Sequence, residues 1–260
     1  MRDTGRVDFA PVESNLRDSF RAIAAGRAGG EVREYPGVSI ASANVAFQMF
    51  NAAFLSGFVP DEADLERRIA MANVHFDGRG VSWAFWVCED WLAPALRPRA
   101  RQVFRRQGLR LSVEMPGMAA ECVRPPAQPL PALEVLKVSN ARTLGDFCAI
   151  GSMCFNVPIV WFREVFSEPA VWERFIGYVG YVDGEAVSTA ATVTGSGVVG
   201  VYNVATAPGY QRRGFGEAVM RESLVRAGAG RSILQSTPQG YRLYERMGYR
   251  TVTRIAVYAS

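Results

Sequence analysis

Lysine and histidine are almost missing from this chain: Lys137 and His75 are the only ones in 260 residues. A nucleoside-triphosphate P-loop ends in Gly-Lys-Ser/Thr, and the one lysine stands in no such sequence. The four cysteines, Cys88, Cys122, Cys148 and Cys154, include no C-x-x-C pair. With a single histidine they offer no Cys/His zinc site, and no metal is expected. Each cysteine reads as a small buried apolar side chain. No apolar run is long enough to span a bilayer. The start, Met1-Arg-Asp-Thr-Gly5, lacks the apolar segment of a signal peptide, so the expectation is a cytoplasmic protein with no membrane partner.

What is present is the composition of a globular protein, 49% apolar and 21% charged, with a net charge of +4 that comes almost wholly from arginine. That balance suits an anionic small molecule. The cluster Arg97-Pro-Arg-Ala-Arg101 with Arg105-Arg106 has Leu96, Val103 and Phe104 between its charges. It reads as the solvated face of a helix, and no nucleic acid is expected.

The clearest boundary is Pro125-Pro-Ala-Gln-Pro-Leu-Pro131. Four prolines in seven residues make a stiff extended linker. It separates residues 1–124 from 133–260, with 125–132 between. In the second part the pattern predicts strands at Leu133–Val138, Ile176–Val182, Glu185–Val193, Val198–Val204, Ser232–Ser236 and Thr251–Tyr258. Asp183-Gly184 is a hairpin turn. Helices are predicted at Ala141–Cys154, Glu168–Phe175 and Phe215–Ala227, with a short one before the last strand. The first part is less legible. Leu16, Phe20, Ile23 and Ala24 share helical spacing, Asp61 caps a helix to about Ala72, Val81–Val87 is strand-like and Leu92–Arg106 helical.

The most informative stretch follows the Val198–Val204 strand: Val204-Ala-Thr-Ala-Pro-Gly-Tyr-Gln-Arg-Arg-Gly-Phe-Gly216. A strand, a basic Gly-rich turn and a helix start together suit a phosphate chain. Glycines admit the anion to backbone N–H groups, and the helix start adds unpaired donors. A dinucleotide fingerprint needs G-x-G-x-x-G and an acidic residue about 20 positions on, and only Gly214-x-Gly216 is there. An ordinary βα turn with surface arginines is the plain alternative.

Gln211-Arg-Arg-Gly-Phe-Gly216 also fits Gln/Arg-x-x-Gly-x-Gly/Ala, and so resembles the pyrophosphate-binding signature of the GNAT superfamily of N-acetyltransferases. Leu234-Gln-Ser-Thr-Pro-Gln-Gly-Tyr-Arg-Leu-Tyr-Glu-Arg-Met-Gly-Tyr249 is similar to the closing element of that superfamily. The resemblance covers roughly Leu133 to Ser260. One departure is Thr237, followed by Pro238, where Asn is common; proline is tolerated in a first helical turn. The fold implied is α/β (α+β), a GNAT-like mixed sheet flanked by helices. Phe104-Arg-Arg-Gln-Gly-Leu109 echoes Tyr244-Glu-Arg-Met-Gly-Tyr249, and Phe50-Asn51 echoes Phe155-Asn156. The expectation is therefore two tandem GNAT-like halves with only the second intact, the first a degenerate copy that covers the substrate side.

The resemblance implies transfer of acetyl from acetyl-CoA to a primary amine, by direct attack in a ternary complex. Val204, Ala205 and Thr206 are then the splayed strand that pairs with the pantetheine arm, the Val204 N–H polarising the thioester carbonyl. Gln211, Arg212, Arg213, Gly214, Phe215, Gly216 and Glu217 hold the diphosphate, mostly through backbone N–H. Thr237, Tyr241 and Tyr244 complete the cofactor-binding set. Tyr244 matches the tyrosine that protonates the departing thiolate. Asn203 and Tyr202 are placed to orient an amine or a water. No general base is assigned: a water chain, an amine that arrives neutral, or Glu121 or another first-half carboxylate would serve, and His75 reads as structural. The substrate is expected to meet the apolar loop Cys154–Phe162, with Phe155, Asn156 and Trp161, and Tyr202. That lining suits a small amine with an apolar part. A monomer or homodimer is expected. The competing readings are a non-catalytic acyl-CoA-binding sensor and a protein N-acetyltransferase.

Overall fold

The computed structural model describes residues 9–260. Helix α1 (Ala10–Ala25) is followed by strands β1 (Glu31–Tyr35), β2 (Val38–Ser42) and β3 (Asn51–Leu55). Then come α2 (Glu62–Asp77), β4 (Ala84–Cys88), α3 (Arg97–Arg106) and β5 (Arg110–Ala120). Beyond the linker lie β6 (Glu134–Lys137), α4 (Ala141–Phe155), α5 (Ile159–Val165), α6 (Val171–Arg174), β7 (Ile176–Val182), β8 (Glu185–Gly195) and β9 (Val198–Thr206). The chain closes with α7 (Phe215–Arg226), β10 (Ser232–Gln235), α8 (Pro238–Arg246) and β11 (Arg250–Ala259). No helix among the described residues is long and apolar enough to cross a membrane.

Local chemistry sets the ends of these elements. The Asp61 side chain accepts from the Asp64 N–H at the start of α2. Asn140 and Thr143 form a reciprocal capping box on α4. Asp183 and Gly184 both have positive φ, as a two-residue type I′ hairpin turn requires. The helix ends Phe104–Leu109 and Tyr244–Tyr249 are built alike. Leu109 N–H donates to Phe104 O at 3.0 Å and Tyr249 N–H to Tyr244 O at 2.9 Å, with Gly108 and Gly248 in the left-handed region.

The eleven strands of the described residues form one sheet in the order β1-β2-β3-β4-β11-β5-β10-β9-β8-β7-β6. Strands β1 to β4 pair antiparallel, antiparallel, parallel, and β7 to β10 repeat that pattern. Each set is followed by a helix and a last strand, and the two last strands are exchanged. β5 pairs with β10, β11 pairs with β4, and β5 and β11 pair with each other at the centre. Helices α2, α3, α7 and α8 pack on one face, while α1 and α4 to α6 lie on the other. α1, from the first part of the chain, reaches β8, β9 and β10 of the second.

Three readings of the sequence are corrected here. The segment Glu168–Phe175 is helical only at Val171–Arg174, and the supposed loop Cys154–Phe162 runs into a helix at Ile159. Ile159 and Val160 are β-branched, which weakens the helical signal, whereas Pro158 caps α5 at a position where its missing N–H costs nothing. Phe50-Asn51 leads into β3 and Phe155-Asn156 ends α4, so that echo is not structural.

Candidate active site

β9 and β10 begin side by side and then part. They pair only at Ser232↔Val199 and Ile233↔Gly200, while all four β10 residues pair with β5. The β10-facing backbone edge of β9 is thus left open beyond Gly200. On its other side β9 bulges: the register with β8 passes from Thr189↔Ala205 to Ala191↔Tyr202, setting Asn203 and Val204 opposite Ala190 alone. Asn203 takes φ 48°, and its carbonyl accepts from Thr189 Oγ1 at 2.9 Å. Such a bulge bends the strand and releases backbone groups from the ladder. The Asn203 Nδ2 is buried and has no partner among the described residues.

Thr206 ends the open strand. Its carbonyl accepts from Gln211 Nε2 at 3.1 Å and from Cys154 Sγ at 3.2 Å, tying both the phosphate-type loop and the end of α4 to β9. Burial raises the Cys154 thiol above its ordinary pKa, so it stays protonated. The loop winds through Pro208–Tyr210 as a single 3-10 turn. Arg212 (φ 59°) and the helix cap Gly214 (φ 89°) are both left-handed. Gly214 supplies no side chain to the first turn of α7, whose N–H groups have no intrahelical partner. Alternation of this kind makes a concave nest of donors for an anion. At Gly216 a Cβ would stand 2.9 Å from Thr206 Oγ1, so a larger residue there obliges the Thr206 side chain or the helix to shift. Arg213 lies over the rings of Tyr210 and Phe215, 5.3 Å from each centroid, and Arg212 is exposed. Glu217 is held by Arg221 at 2.7 Å, which offsets its charge beside the loop.

Tyr244 is buried in one cluster with Leu234 of β10, Val201 of β9 and the partly buried Val204. It therefore lies on the α7/α8 face, where the two strands separate. Burial pushes its pKa up to about 12, so the phenol remains a proton donor throughout the neutral range.

Other expected residues have different duties. Thr237 caps α8 by accepting from the Gly240 N–H at 3.3 Å, with Pro238 in the first turn. The Tyr241 hydroxyl meets Thr251 Oγ1 at 3.2 Å. The Tyr202 hydroxyl donates to Asn15 Oδ1 at 2.7 Å, so it is already engaged, and the residue is half-buried. Glu121 is exposed, paired with Arg231, and sits where β10 begins, about 10 Å of strand away from the open end. His75 is buried between Tyr35 and Glu31 on α2, away from this site. Phe155 and Trp161 are each 37% exposed, and Asn156 is the left-handed cap of α4. Trp161 stacks on Phe47 of the first part of the chain, ring centroids 5.9 Å apart. Sequence reasoning missed Phe47 because its only signal is an aromatic residue in a loop. It missed Asn15 because a polar residue on an amphipathic helix reads as solvated.

The corresponding strands of the first part are closed. β3 and β4 pair at Ala52↔Ala84, Ala53↔Phe85 and Phe54↔Trp86, then rejoin as Val59 N–H donates to Trp91 O (2.8 Å) and Ala93 N–H to Val59 O (3.0 Å). The helix that follows begins with Asp61, Glu62 and Asp64, a first turn hostile to an anion. Among the described residues there is no group of three or more His, Cys, Asp or Glu able to hold a metal ion.

Residues 171–251 match the model of the acetyltransferase (GNAT) domain. A GCN5-related N-acetyltransferase from Kribbella flavida superposes with a TM-score of 0.72 at 18% identity, over 99% of this chain and 96% of that one. A functionally unknown conserved protein from Staphylococcus epidermidis ATCC 12228 gives 0.64 at 12% identity, over 90% and 94%. A GCN5-related N-acetyltransferase from Sphaerobacter thermophilus gives 0.53 at 14%, over 86% and 76%. At these identities the likeness is one of fold. No curated protein matches the sequence.

Proposed function

We propose that the chain is an acetyl-CoA-dependent N-acetyltransferase acting on a primary amine of a small molecule. The observation that carries the reading is the strand β9, open toward β10 beyond Gly200 and running into an uncapped, glycine-opened helix start at Gly214. A slot with free backbone groups leading to an anion nest fits a pantetheine arm that ends in a diphosphate. When bound, acetyl-CoA supplies an activated acyl carbon and a thiolate leaving group.

The residues of the chain then have distinct work. Backbone groups of Val204 to Thr206 orient the arm, and the Val204 N–H faces the charge that grows on the carbonyl oxygen. Residues 211–217 fix the diphosphate, so that the acyl carbon is held within attack distance. Asn203, with an unpartnered amide beside that strand, orients the amine or a water. Tyr244 donates its proton to the leaving sulfur and is recharged from solvent. One N–C bond forms, one C–S bond breaks, and the amine proton leaves to water. The likeness between β1–β5 and β7–β11 supports reading the first part as a second GNAT-like unit that covers the acceptor side and has lost its own cofactor slot.

The test is isothermal calorimetry with acetyl-CoA and CoA, followed by thiol release over a panel of amines. No heat with either compound rejects the assignment. Binding without turnover over a broad panel would favour an acyl-CoA sensor, a reading that draws on the lack of any carboxylate in Val198–Thr206.

A further inference from the structure

The mouth of the open strand is apolar and carries no acid. Among the described residues, four of the eight large apolar side chains that are exposed fall within nine positions: Met153, Phe155, Val160 and Trp161. Residues 153–162 contain no charged side chain, and neither do residues 198–206. The thiol of Cys154 bonds the Thr206 carbonyl, so this patch borders the end of β9 directly. Phe47 extends it from the first part of the chain by stacking on Trp161. The loop bearing Phe47 is held by Asn51, fully buried, whose amide donates to Val45 O and Ser82 O at 2.8 Å each and accepts from Ser42 and Val45. The wall is therefore fixed before any ligand arrives.

Most carboxylates on the neighbouring elements are held by other partners. Glu217 is bound by Arg221, Glu185 by the Tyr210 hydroxyl, and Glu168 by Arg27 and the Ala28 N–H. Glu13, on α1, is buried against Arg17. Glu164, one turn beyond Trp161, is the nearest acid in sequence and belongs to α5 rather than to β9. The nearby cations are Arg27, Arg163 and the arginines of the phosphate-type loop.

An alkylammonium ion seated on residues 153–162 beside 198–206 finds no counter-charge and no base within those two segments. A lysine-like amine, of pKa about 10.4, is neutral in only about one molecule in 2,500 at pH 7, while an α-amino group of pKa about 8 is neutral in about one in ten. Resting on the proposed acetyl transfer, we infer that the acceptor is a weakly basic primary amine on an aromatic or aliphatic body: an arylamine, an arylhydrazine, or the α-amino group of an apolar amino-acid amide. The neutral amine attacks unaided, gives its proton to water after the N–C bond forms, and is seated by Phe47, Phe155 and Trp161.

The test is the pH dependence of kcat/KM at saturating acetyl-CoA for two probes, phenylhydrazine and 2-phenylethylamine, with spermidine as the polycation. The expected profile is flat between pH 6 and 9 for phenylhydrazine. For 2-phenylethylamine it rises about tenfold per pH unit, following the free base, and spermidine is the poorest acceptor. Glu13→Gln and Glu164→Gln leave both slopes unchanged. Trp161→Ala and Phe47→Ala raise KM for phenylhydrazine at least tenfold while the Kd of acetyl-CoA stays put. An enzyme pKa in the phenylhydrazine profile that either Gln variant removes, or turnover of spermidine above that of the apolar amines, overturns the inference. So does acetyl-CoA binding with no transfer to phenylhydrazine, which leaves the cofactor reading standing; absence of acetyl-CoA binding takes down both.

Discussion

Asn15 accepts the hydroxyl proton of Tyr202 at 2.7 Å, across 187 residues of chain. Asn15 is fully buried, and its amide also donates to the carbonyls of Val193 (3.1 Å) and Gly195 (3.0 Å) at the β8–β9 hairpin. One side chain of α1 thus fixes both the turn that starts β9 and the residue just before its bulge. Asn15→Ala strands a buried hydroxyl and two carbonyls, and is expected to cost about 2–4 kcal/mol, with Tyr202→Phe costing about 1–2. Because the two share one bond, the double variant should fall short of the sum in urea denaturation. Full additivity would show that the bond is not formed in solution.

Glu13 carries a second consequence of that helix. It is 3% exposed, and burial, only partly offset by Arg17, pushes its pKa from 4.5 up to about 7. A carboxyl raised in the folded state keeps its proton longer there than in the unfolded chain. Stability is therefore highest below about pH 4.5 as far as this group is concerned, and declines as pH rises through about 7, by about 3 kcal/mol in all. Glu13→Gln should remove that slope and make the protein more stable than the parent at pH 8. Parallel pH–stability curves for the two proteins would contradict the assignment.

The contrast between Val59 and Gly214 predicts stoichiometry. Val59 rejoins β3 to β4 through Trp91 and Ala93, whereas among the described residues no backbone bond rejoins β9 to β10 beyond Gly200. One acetyl-CoA per chain is expected in calorimetry, never two. Gly214→Val puts a branched side chain at φ 89°, with its Cβ 3.0 Å from Pro131 Cδ. It should weaken that single site tenfold or more.

Tyr244→Phe is expected to lower kcat by about 10–10³-fold. The Kd for acetyl-CoA should change little, because the ring that fills the cluster with Val201 and Leu234 is retained. An unaltered kcat removes Tyr244 from the proton path.

The second part of the chain was legible because its signals are local. The Arg-Gly loop, the Asp183-Gly184 turn and the Leu-Tyr-Glu helix each carry their instruction within a few residues. The first part hid three strands. β2 and β3 are buried on both faces, so they show no alternation, and β1 is an edge strand of mixed charge. The splay, the bulge at Asn203 and the Phe47–Trp161 stack arise from pairings between distant segments, which no short window contains. The exchange of β5 and β11 is of the same kind. β11 reads as a final strand, and only the three-dimensional pairing shows that β5 and β11 each complete the other set.

That exchange makes the halves interdependent. β11 runs between β4 and β5, pairing Ile255 with Cys88 on one side and with Met115 on the other, and β5 continues to β10 through Gly117↔Gln235. Without residues 1–124, β11 and β10 lose their shared neighbour and present unpaired edges, which invite aggregation. Without residues 133–260, β4 and β5 lose the strand between them. The exposed stretch 125–129 lies outside every helix and strand, so a break there removes no ladder bond. Residues 1–127 and 128–260 expressed separately should each be insoluble or unfolded, and expressed together should co-purify as a one-to-one complex with the circular dichroism of the intact chain. A soluble, cooperatively folded 128–260 fragment would mean that β11 can pair with β10 directly, and that the exchanged strands are not required for the second set to fold.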